Sequence, residues 1–279
     1  MSNILRFKDK IKTIIYSLEF SLRILLFSNF KFKKQINVIK KQNLKIRILG
    51  NGNSLAKGDF IDKKCDYMVV NRYYLSESYY EIKPLYYVIA DPYFFTIEKG
   101  IAQIEEIISV TKWKMFLFLP YYKGKNLFFK KKETDSVKII FYNTSVFKGF
   151  NDLKTFFFNK MLAMPQVQNV LVASIMLSIW LKYNIIELYG VEHSWLTSLS
   201  VDEQNRILLE NKHFYDKKEI KKEEFKKWNG DSYKLHELLY DFGRMFEAYW
   251  EIVAYLKNKN INIINKSSNS FIDAFKKEQ

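Results

Sequence analysis

The chain has 279 residues, 48% of them hydrophobic, a formal net charge of +15 and one cysteine, Cys65. This composition excludes a disordered tail, a disulfide framework and a cysteine-rich zinc site, and it suits a reducing cytosol. The positive charge predicts a polyanionic partner, either an acidic membrane surface, a phosphorylated ligand or a nucleic acid. A coding bias toward Lys, Asn, Ile, Phe and Tyr would give the same charge without any such function.

The first 44 residues differ from the rest of the chain. Residues 1–45 carry 11 basic and 2 acidic side chains, a net charge of +9. Apolar residues recur at steps of three and four from Ile4 to Leu25, which predicts a basic amphipathic helix. We expect residues 1–44 to dock on the inner membrane surface from the cytoplasmic side. The alternative is that they pack on the protein's own core or on a second subunit of a homo-oligomer.

Strands and helices alternate from residue 45 to 279. The predicted strands are short and rich in β-branched and aromatic residues: 45–50, 66–70, 86–90, 115–119, 137–142, 185–189 and 261–264. The predicted helices are 97–110, 168–183 and 233–259. This alternation predicts an α/β fold with a Rossmann-like, doubly wound and mainly parallel sheet. The polar residues 193–232 interrupt it and are predicted to form a small lid over the site.

Glycines and polar residues follow four of the predicted strands. They are Gly50, Asn51, Gly52, Asn53 and Ser54 after the first strand, Asn71 after the second, Asp91 after the third, and Gly190, Glu192 and His193 after the strand at 185–189. Ligands of open parallel sheets bind beyond the carboxyl ends of the strands, so these residues should line one crevice. The loop at Gly50 lacks the spacing of a dinucleotide fingerprint or a P-loop. Its backbone N–H groups suit a phosphate, and its Asn side chains suit ribose hydroxyls or a pyrimidine edge.

The order of these motifs resembles a known family. The segments "ILGNGNSL", "VVNRYYL", "IADPYFF", "YNIIELYGVEHSW" and "INIINKSSNSFIDAF" are similar to the pattern of the bacterial sialyltransferases of glycosyltransferase family 42. The family pattern has G-N-G-P-S-L, C-N-Q-F-Y, N-P-S-x-F-F and S-G-I-D-F-Y after successive strands, and P-N-S after the last. The resemblance spans most of residues 45–275 and is sparse between the motifs.

The resemblance implies a fold of the GT-A-variant type and a reaction. The reaction is the inverting, metal-independent transfer of a sialic acid-like sugar (a nonulosonic acid or Kdo) from a CMP-sugar to a hydroxyl of a surface glycan. No cofactor other than the nucleotide-sugar donor is implied. A glycan of the lipopolysaccharide or capsule would suit a membrane-docked enzyme.

The resemblance also implies roles for individual residues. Asn51 and Gly52 would hold the phosphate or ribose, and Asn71 would contact the cytidine. His213 stands in the segment that carries the family's general base, and Tyr215 is a candidate to steady the departing phosphate. His193 stands where the family has a Tyr.

The chain departs from the family pattern at several of these positions. Asn53 replaces a Pro, Asp91 an Asn and Glu192 an Asp, and "QVQN" at 166–169 replaces the Arg-x-Thr-Ser-Gly that enters the core helix. The donor could therefore be another nucleotide sugar.

Other interpretations of these residues remain open. His213 could be an ordinary surface residue, His193 could act as base, donor or phosphate ligand, and Glu192 could only cap the next segment. A pyrophosphokinase or a flagellin-modifying protein has a similar G-x-G-x-S loop. A nucleic-acid-binding function is weaker, since no recognition helix, RNP motif or zinc pattern is present.

Overall fold

The computed structural model describes residues 2–57, 60–122, 125–210, 214, 222–227 and 229–278, without the side chains of 2–7, 56 and 57. Within these ranges the sheet strands are β1 Lys45–Leu49, β2 Asp66–Val70, β3 Tyr86–Val88, β4 Met115–Pro120, β5 Val137–Tyr142 and β6 Ile185–Tyr189. A three-stranded antiparallel sheet follows, formed by β7 Ser200–Val201, β8 Ile207–Leu209 and β9 Glu223–Glu224. The strands β10 Asn262–Asn265 and β11 Lys276–Lys277 return to the main sheet.

The helices are α1 Ser2–Phe27, α2 Phe32–Asn37, α3 Ser78–Ile82, α4 Tyr93–Thr96, α5 Glu98–Val110, α6 Asn126–Lys130, α7 Asn151–Asn159, α8 Val170–Trp180 and α9 Leu235–Leu256. Short 3-10 turns cover Asn53–Lys57, Tyr73–Leu75 and Trp195–Thr197. Among the described residues, none of the helices has both the length and the apolar composition needed to cross a bilayer.

The main sheet has eight strands in the order β11-β10-β6-β1-β2-β3-β4-β5, and every pairing is parallel. The chain runs outward from β1 to β5, crosses back to β6 on the other side of β1, and continues outward to β11. This is a doubly wound α/β Rossmann-like fold, as predicted. All seven predicted strands are present, with bounds that shift by at most two residues.

Helices cover both faces of the sheet because successive strand residues point to opposite sides. Ile46 and Ile48 of β1 face the core under α2, α8 and α9, whereas Leu49 faces the core under α5. The helix α8 is apolar on all sides and packs across β1, β2 and β3. Burial on both faces explains why the strands read as continuous apolar runs.

The predicted insertion at 193–232 contains the small sheet β7-β8-β9. Ile207 and Leu209 of β8 pack with Leu238 at the start of α9. Phe214 is the single residue described between 210 and 222, and its N–H donates to the backbone oxygen of Asn51 over 3.1 Å. The insertion therefore reaches the loop after β1, where the lid was predicted.

Candidate functional site

The loops after β1 and β6 meet at the point where the strand order reverses. The N–H of Gly50 donates to the carbonyl of Tyr189 over 2.8 Å, and the N–H of Gly52 donates to the carbonyl of Gly190 over 2.9 Å. A topological switch point of this kind is where open parallel sheets bind ligands. Two of the four predicted strand ends, those of β1 and β6, are thus in direct contact.

The glycines allow this close approach. A Cβ on Gly50 would overlap the carbonyl oxygen of Gly190, and a Cβ on Gly52 would overlap the carboxylate of Glu192. Gly190 has a φ of +63°, and a Cβ there would press on the side chain of Leu55 at 2.6 Å. A protein with only nine glycines places three of them where the two loops touch.

Glu192 holds the loop after β1 from the opposite side. Its Oε1 accepts a hydrogen bond from the N–H of Ser54 over 2.9 Å, and its backbone carbonyl accepts the N–H of Phe271 over 2.7 Å. The N–H groups of Gly50, Gly52 and Ser54 are therefore all bonded to the segment 189–192. A phosphate would have to use other donors, such as the N–H groups of Asn51 and Asn53 between them.

The tail after β10 supports the same segment. Ser267 Oγ accepts the N–H of Val191 over 2.9 Å, and Ser270 Oγ donates to the carbonyl of Val191 over 2.8 Å. Both serines are buried. The serines of "NKSSNS" thus have a local reason to be polar, which is to satisfy the backbone of the loop after β6.

Asn51 and Asn71 each carry a buried side-chain oxygen, Oδ1, with no hydrogen-bond partner among the described residues. Asn51 Nδ2 donates to the carbonyl of Val70 over 3.4 Å, so its side chain lies across the end of β2. Asn71 has a φ of +53°, its N–H donates to Val88, and its carbonyl accepts the hydroxyl of Tyr87. Buried polar atoms are usually paired, so two unpaired acceptors at neighbouring strand ends require an explanation.

Phe214 covers this part of the crevice. Besides its bond to Asn51, its ring centroid lies 5.5 Å from that of Tyr73, just beyond the end of β2. Phe214 therefore lies next to the loop after β1 and to the turn after β2. His213 and Tyr215, the predicted base and phosphate ligand, lie on either side of it but outside the described residues.

Asp91 is exposed at the end of β3, and its Oδ1 accepts the N–H of Tyr93 over 2.9 Å. Asp91 is therefore a turn residue that precedes α4. The charge of Asp91 and, more strongly, burial of the phenol raise the pKa of Tyr122. Asp91 therefore lies near the residues that follow β4, but no hydrogen bond connects it to Asn51 or Asn71.

His193 has φ of +51° and is held in an aromatic stack. Its ring lies 4.6 Å from Trp195 and 5.8 Å from Tyr249 between centroids, at interplanar angles of 22° and 27°. Its Nε2 is 2.6 Å from the hydroxyl of Tyr249 and 3.2 Å from Nδ2 of Asn169. The residue belongs to the loop after β6, as predicted, and it connects this loop to α8 and α9.

The hydrogen bonds of Asn169 determine which nitrogen of His193 carries the proton. Asn169 is the N-cap of α8, and its Oδ1 accepts the N–H groups of Leu171 and Val172. Its Nδ2 must therefore donate, both to Tyr249 Oη over 2.8 Å and toward His193 Nε2. The hydroxyl oxygen of Tyr249 accepts from Asn169, so the hydroxyl can donate its own hydrogen bond to Nε2 of His193. Nε2 is then an acceptor, and the proton of the neutral ring is on Nδ1.

Burial lowers the pKa of His193 to about 3, so the ring is neutral at physiological pH. A neutral ring whose Nε2 already accepts from Tyr249 is a poor general base at that nitrogen. The remaining polar group, Nδ1–H, is a hydrogen-bond donor.

A cavity of about 530 Å³ lies on the same edge of the sheet. Residues of α1 form one wall, and the chain beyond β3, β4 and β5 forms the others. Its polar lining includes Arg23, Lys148, Ser145 and Gln166, and no carboxylate is among its described lining residues. Gln166 lies three residues before Asn169 in the sequence. Neither this cavity nor the roles of Asn169 and Tyr249 was predicted from the sequence.

The described part of the chain contains no group of three or more His, Cys, Asp or Glu side chains that could hold a metal ion. The charged side chains of the two central strands form ion pairs instead. Arg47 of β1 bonds to Glu187 of β6 over 2.8 Å and to Asp62 over 3.3 Å, largely buried. This network joins the two central strands below the crevice.

Comparison with solved structures adds a distant similarity. No family model and no curated protein matches the sequence. Among solved structures, the chain is similar to the sialyltransferase CST-II, crystallised in complex with a trisaccharide acceptor and CMP. The two chains are 14% identical over 84% of this chain and 85% of that one, with a TM-score of 0.45. A similarity this distant supports no statement about activity, which has to be argued from the residues of the site.

Proposed function

We propose that the protein is a glycosyltransferase that binds a CMP-sugar at the carboxyl edge of its sheet. It transfers a sialic acid-like sugar to a hydroxyl of a glycan, with inversion and without a metal ion. The observation that carries this proposal is the pair of buried, unpaired oxygens of Asn51 and Asn71 at adjacent strand ends.

The chemistry of these two oxygens favours a nucleoside. Each is an acceptor without a donor in the part of the chain that the structure describes, and a cytidine offers donors in its exocyclic amino group and its ribose hydroxyls. A phosphate or a carboxylate has no proton to offer them. Two acceptors placed beyond β1 and β2 would therefore select the nucleoside part of a donor substrate, while the phosphate lies farther along the loop.

The cavity beside the crevice has room for the sugar and the acceptor. Its volume of about 530 Å³ lies within the range of ordinary ligand sites, roughly 300–1,000 Å³. Arg23 and Lys148 give it a positive lining, which suits the carboxylate of a nonulosonic acid. This charge is one reason to prefer an acidic sugar over a neutral hexose.

Transfer to a hydroxyl needs a base and stabilisation of the departing phosphate. We assign stabilisation of the phosphate to the Nδ1–H of His193, held in place by Tyr249 and Asn169. Preorganised donors of this kind stabilise the charge that develops in the transition state and can raise the rate strongly. His213 remains our candidate for the base and Tyr215 for a second phosphate ligand. A base of this type contributes typically about 10²–10⁴-fold to the rate.

The test is thermal stabilisation by nucleotides. We expect CMP to raise the melting temperature of the full chain, and CDP, UDP and GDP to raise it less. Asn51→Ala and Asn71→Gly should abolish the shift, because each removes one of the unpaired acceptors. Glycine is chosen at position 71 because the residue there has a positive φ.

Asn205→Gly is the matched control, since Asn205 also has a positive φ, of 58°, but lies in the antiparallel sheet region. It should leave the shift with CMP unchanged. Preferential stabilisation by UDP or GDP would indicate another nucleotide-sugar donor. Absence of a shift with every nucleotide would contradict the proposal.

A further inference from the structure

The helix α1 packs on the protein through a narrow face that combines a serine with two apolar side chains. Ser17 and Ile24 are buried on this face, Phe20 packs against the core from it, and Ser28 is buried just after the end of the helix. Ser17 Oγ accepts the N–H of Phe150 over 3.0 Å, and Gly149 lets the helix approach closely, since a Cβ there would overlap Ser17. The contacts of α1 with its own domain therefore use Ser17 together with Phe20 and Ile24, and the ring centroid of Phe20 lies 6.5 Å from that of Phe147.

The opposite side of α1 is a row of large apolar side chains that face away from the protein. Their exposed fractions lie between 42% and 68%, and they recur at steps of three and four along the helix. We call them the outer stripe: Ile11, Ile14, Ile15, Leu18, Leu22, Leu25 and Leu26. Contiguous apolar surfaces of this kind are rare on monomeric proteins and indicate a partner.

Basic residues surround the outer stripe. Lys8, Lys10 and Lys12 are exposed on α1 itself, and Lys31, Lys33 and Lys34 are exposed just after it. Asp9 and Glu19 are the two acidic residues of the first 45, against 11 basic ones. An exposed apolar row in a segment (residues 1–45) of net charge +9 is complementary to a membrane surface, which has an apolar interior and anionic headgroups.

We propose that the outer stripe of α1 docks in the surface of an anionic lipid bilayer. The leucine and isoleucine side chains enter the boundary between headgroups and acyl chains, and the lysines contact lipid phosphates. A second copy of the chain is a poorer occupant, because two copies that met through the same stripe would bring together two segments of charge +9. The proposal does not depend on the glycosyltransferase activity.

The experiment is co-sedimentation of the full chain with two kinds of vesicle. One contains phosphatidylcholine and phosphatidylglycerol, and the other contains phosphatidylcholine alone. We expect binding to the anionic vesicles that weakens as salt is raised, because the Debye length falls from about 10 Å at 0.1 M to about 3 Å at 1 M. Leu18→Glu with Leu22→Glu should lower the partition coefficient at least about tenfold.

The control is a second pair of exposed leucines four residues apart on another helix. Leu235→Glu with Leu239→Glu on α9 replaces leucines that are 42% and 45% exposed, and it should leave vesicle binding unchanged. Circular dichroism and the melting temperature show that each variant is folded. Lys8→Gln with Lys12→Gln should weaken binding to anionic vesicles about thirtyfold, since each basic residue near the surface contributes about 1 kcal/mol.

Two results would overturn the proposal. One is equal sedimentation of the wild type and the Leu18, Leu22 variant with anionic vesicles. The other is a dimer in solution that the same variant converts to a monomer, with no vesicle binding by either. The second result would assign the outer stripe to another copy of the chain.

Discussion

The carboxylate of Glu192 occupies the space that a Cβ on Gly52 would need. The same carboxylate accepts the N–H of Ser54, two residues further along the loop. The loops after β1 and β6 are therefore fitted to each other around one side chain. The position and shape of the crevice above them depend on this contact. Substitutions of Gly52 and of Glu192 test it separately.

Gly52→Ala should destabilise the protein by about 1 to 3 kcal/mol and weaken CMP binding. The added Cβ would displace the Glu192 carboxylate and would approach the carbonyl oxygen of Gly190 to 2.8 Å. Chemical denaturation and the thermal shift with CMP measure the two effects.

Gly243→Ala on α9 is the control, since nothing lies within 4 Å of its Cβ. This second change should stabilise the chain by about 1 kcal/mol, because alanine is the better helix former. If both variants lose the same stability, the contact with Glu192 is not the cause.

Glu192→Gln and Glu192→Ala should differ in their effect on the loop. The amide oxygen of Gln can still accept the N–H of Ser54, whereas Ala leaves that donor unpaired at a cost of about 1 to 3 kcal/mol. We expect Glu192→Gln to keep most of the thermal shift with CMP, and Glu192→Ala to reduce it. Loss of the shift in Glu192→Gln alone would mean that the negative charge itself contacts the ligand.

Tyr249→Phe should weaken the preference of His193 for one tautomer. In the wild type we expect nitrogen chemical shifts that report a proton on Nδ1 and none on Nε2, because Nε2 accepts from Tyr249 over 2.6 Å and lies 3.2 Å from the donor Nδ2 of Asn169. Without the hydroxyl only Asn169 still donates toward Nε2, so the tautomer with the proton on Nδ1 should stay the major one while the other becomes detectable, and stability should fall by about 1 kcal/mol. A wild-type spectrum with the proton on Nε2 would contradict the hydrogen bonds as assigned.

The stability of the protein should fall as the pH is lowered below about 6.5, the ordinary pKa of a histidine. His193 has a pKa of about 3 in the folded chain and its ordinary value when unfolded. Between these values the unfolded state binds the additional proton, so stability is complete above pH 6.5 and declines toward pH 3. From pH 7 to pH 5 the loss assigned to this residue is about 2 kcal/mol.

The variant His193→Gln isolates this contribution. It should lose about 2 kcal/mol less than the wild type between pH 7 and pH 5. His236→Gln, at an exposed position of α9, should follow the wild type. Urea denaturation at each pH gives the values. Parallel curves for the wild type and His193→Gln would show that the ring is not buried as described.

Val146→Trp should fill part of the cavity beside α1 without touching the loop after β1. Val146 lines that cavity after β5. We expect the KM for the acceptor to rise at least about tenfold while the thermal shift with CMP stays the same, because bound acceptor and sugar share this space. Loss of the CMP shift in this variant would place the nucleotide in the cavity instead.

The sequence predicted the strands and the long helices well because their signals are local. The parallel strands are apolar on both faces, and α8 is an uninterrupted apolar run between polar ends. The helices α3, α4, α6 and α7 were missed because four to nine residues are too few to show a period. The strand β11 has only two residues, both lysine. Its pairing with β10 is a tertiary contact that no local pattern reports.

The meeting of the loops after β1 and β6 was predictable from parallel topology, but the contacts within it were not. The sequence could not decide whether Glu192 faces a ligand or the backbone of Ser54. The stack on His193 joins residues from the loop after β6 and from α9, which are distant in the chain. The sequence also left open which side of α1 faces the protein. Gly149 and Ser17 decide this by close approach, which hydrophobic periodicity does not detect.

The pairing of Arg47 with Glu187 bears on how the protein is made. These residues face each other in adjacent strands, although 140 residues separate them along the chain. A ribosome that has delivered β1 to β5 has produced a partial sheet in which β1 is still an edge strand and Arg47 has Asp62 but not yet Glu187 as its partner. Because β6 is contributed so late, the ligand crevice cannot form on a nascent chain until about two thirds of the protein has emerged.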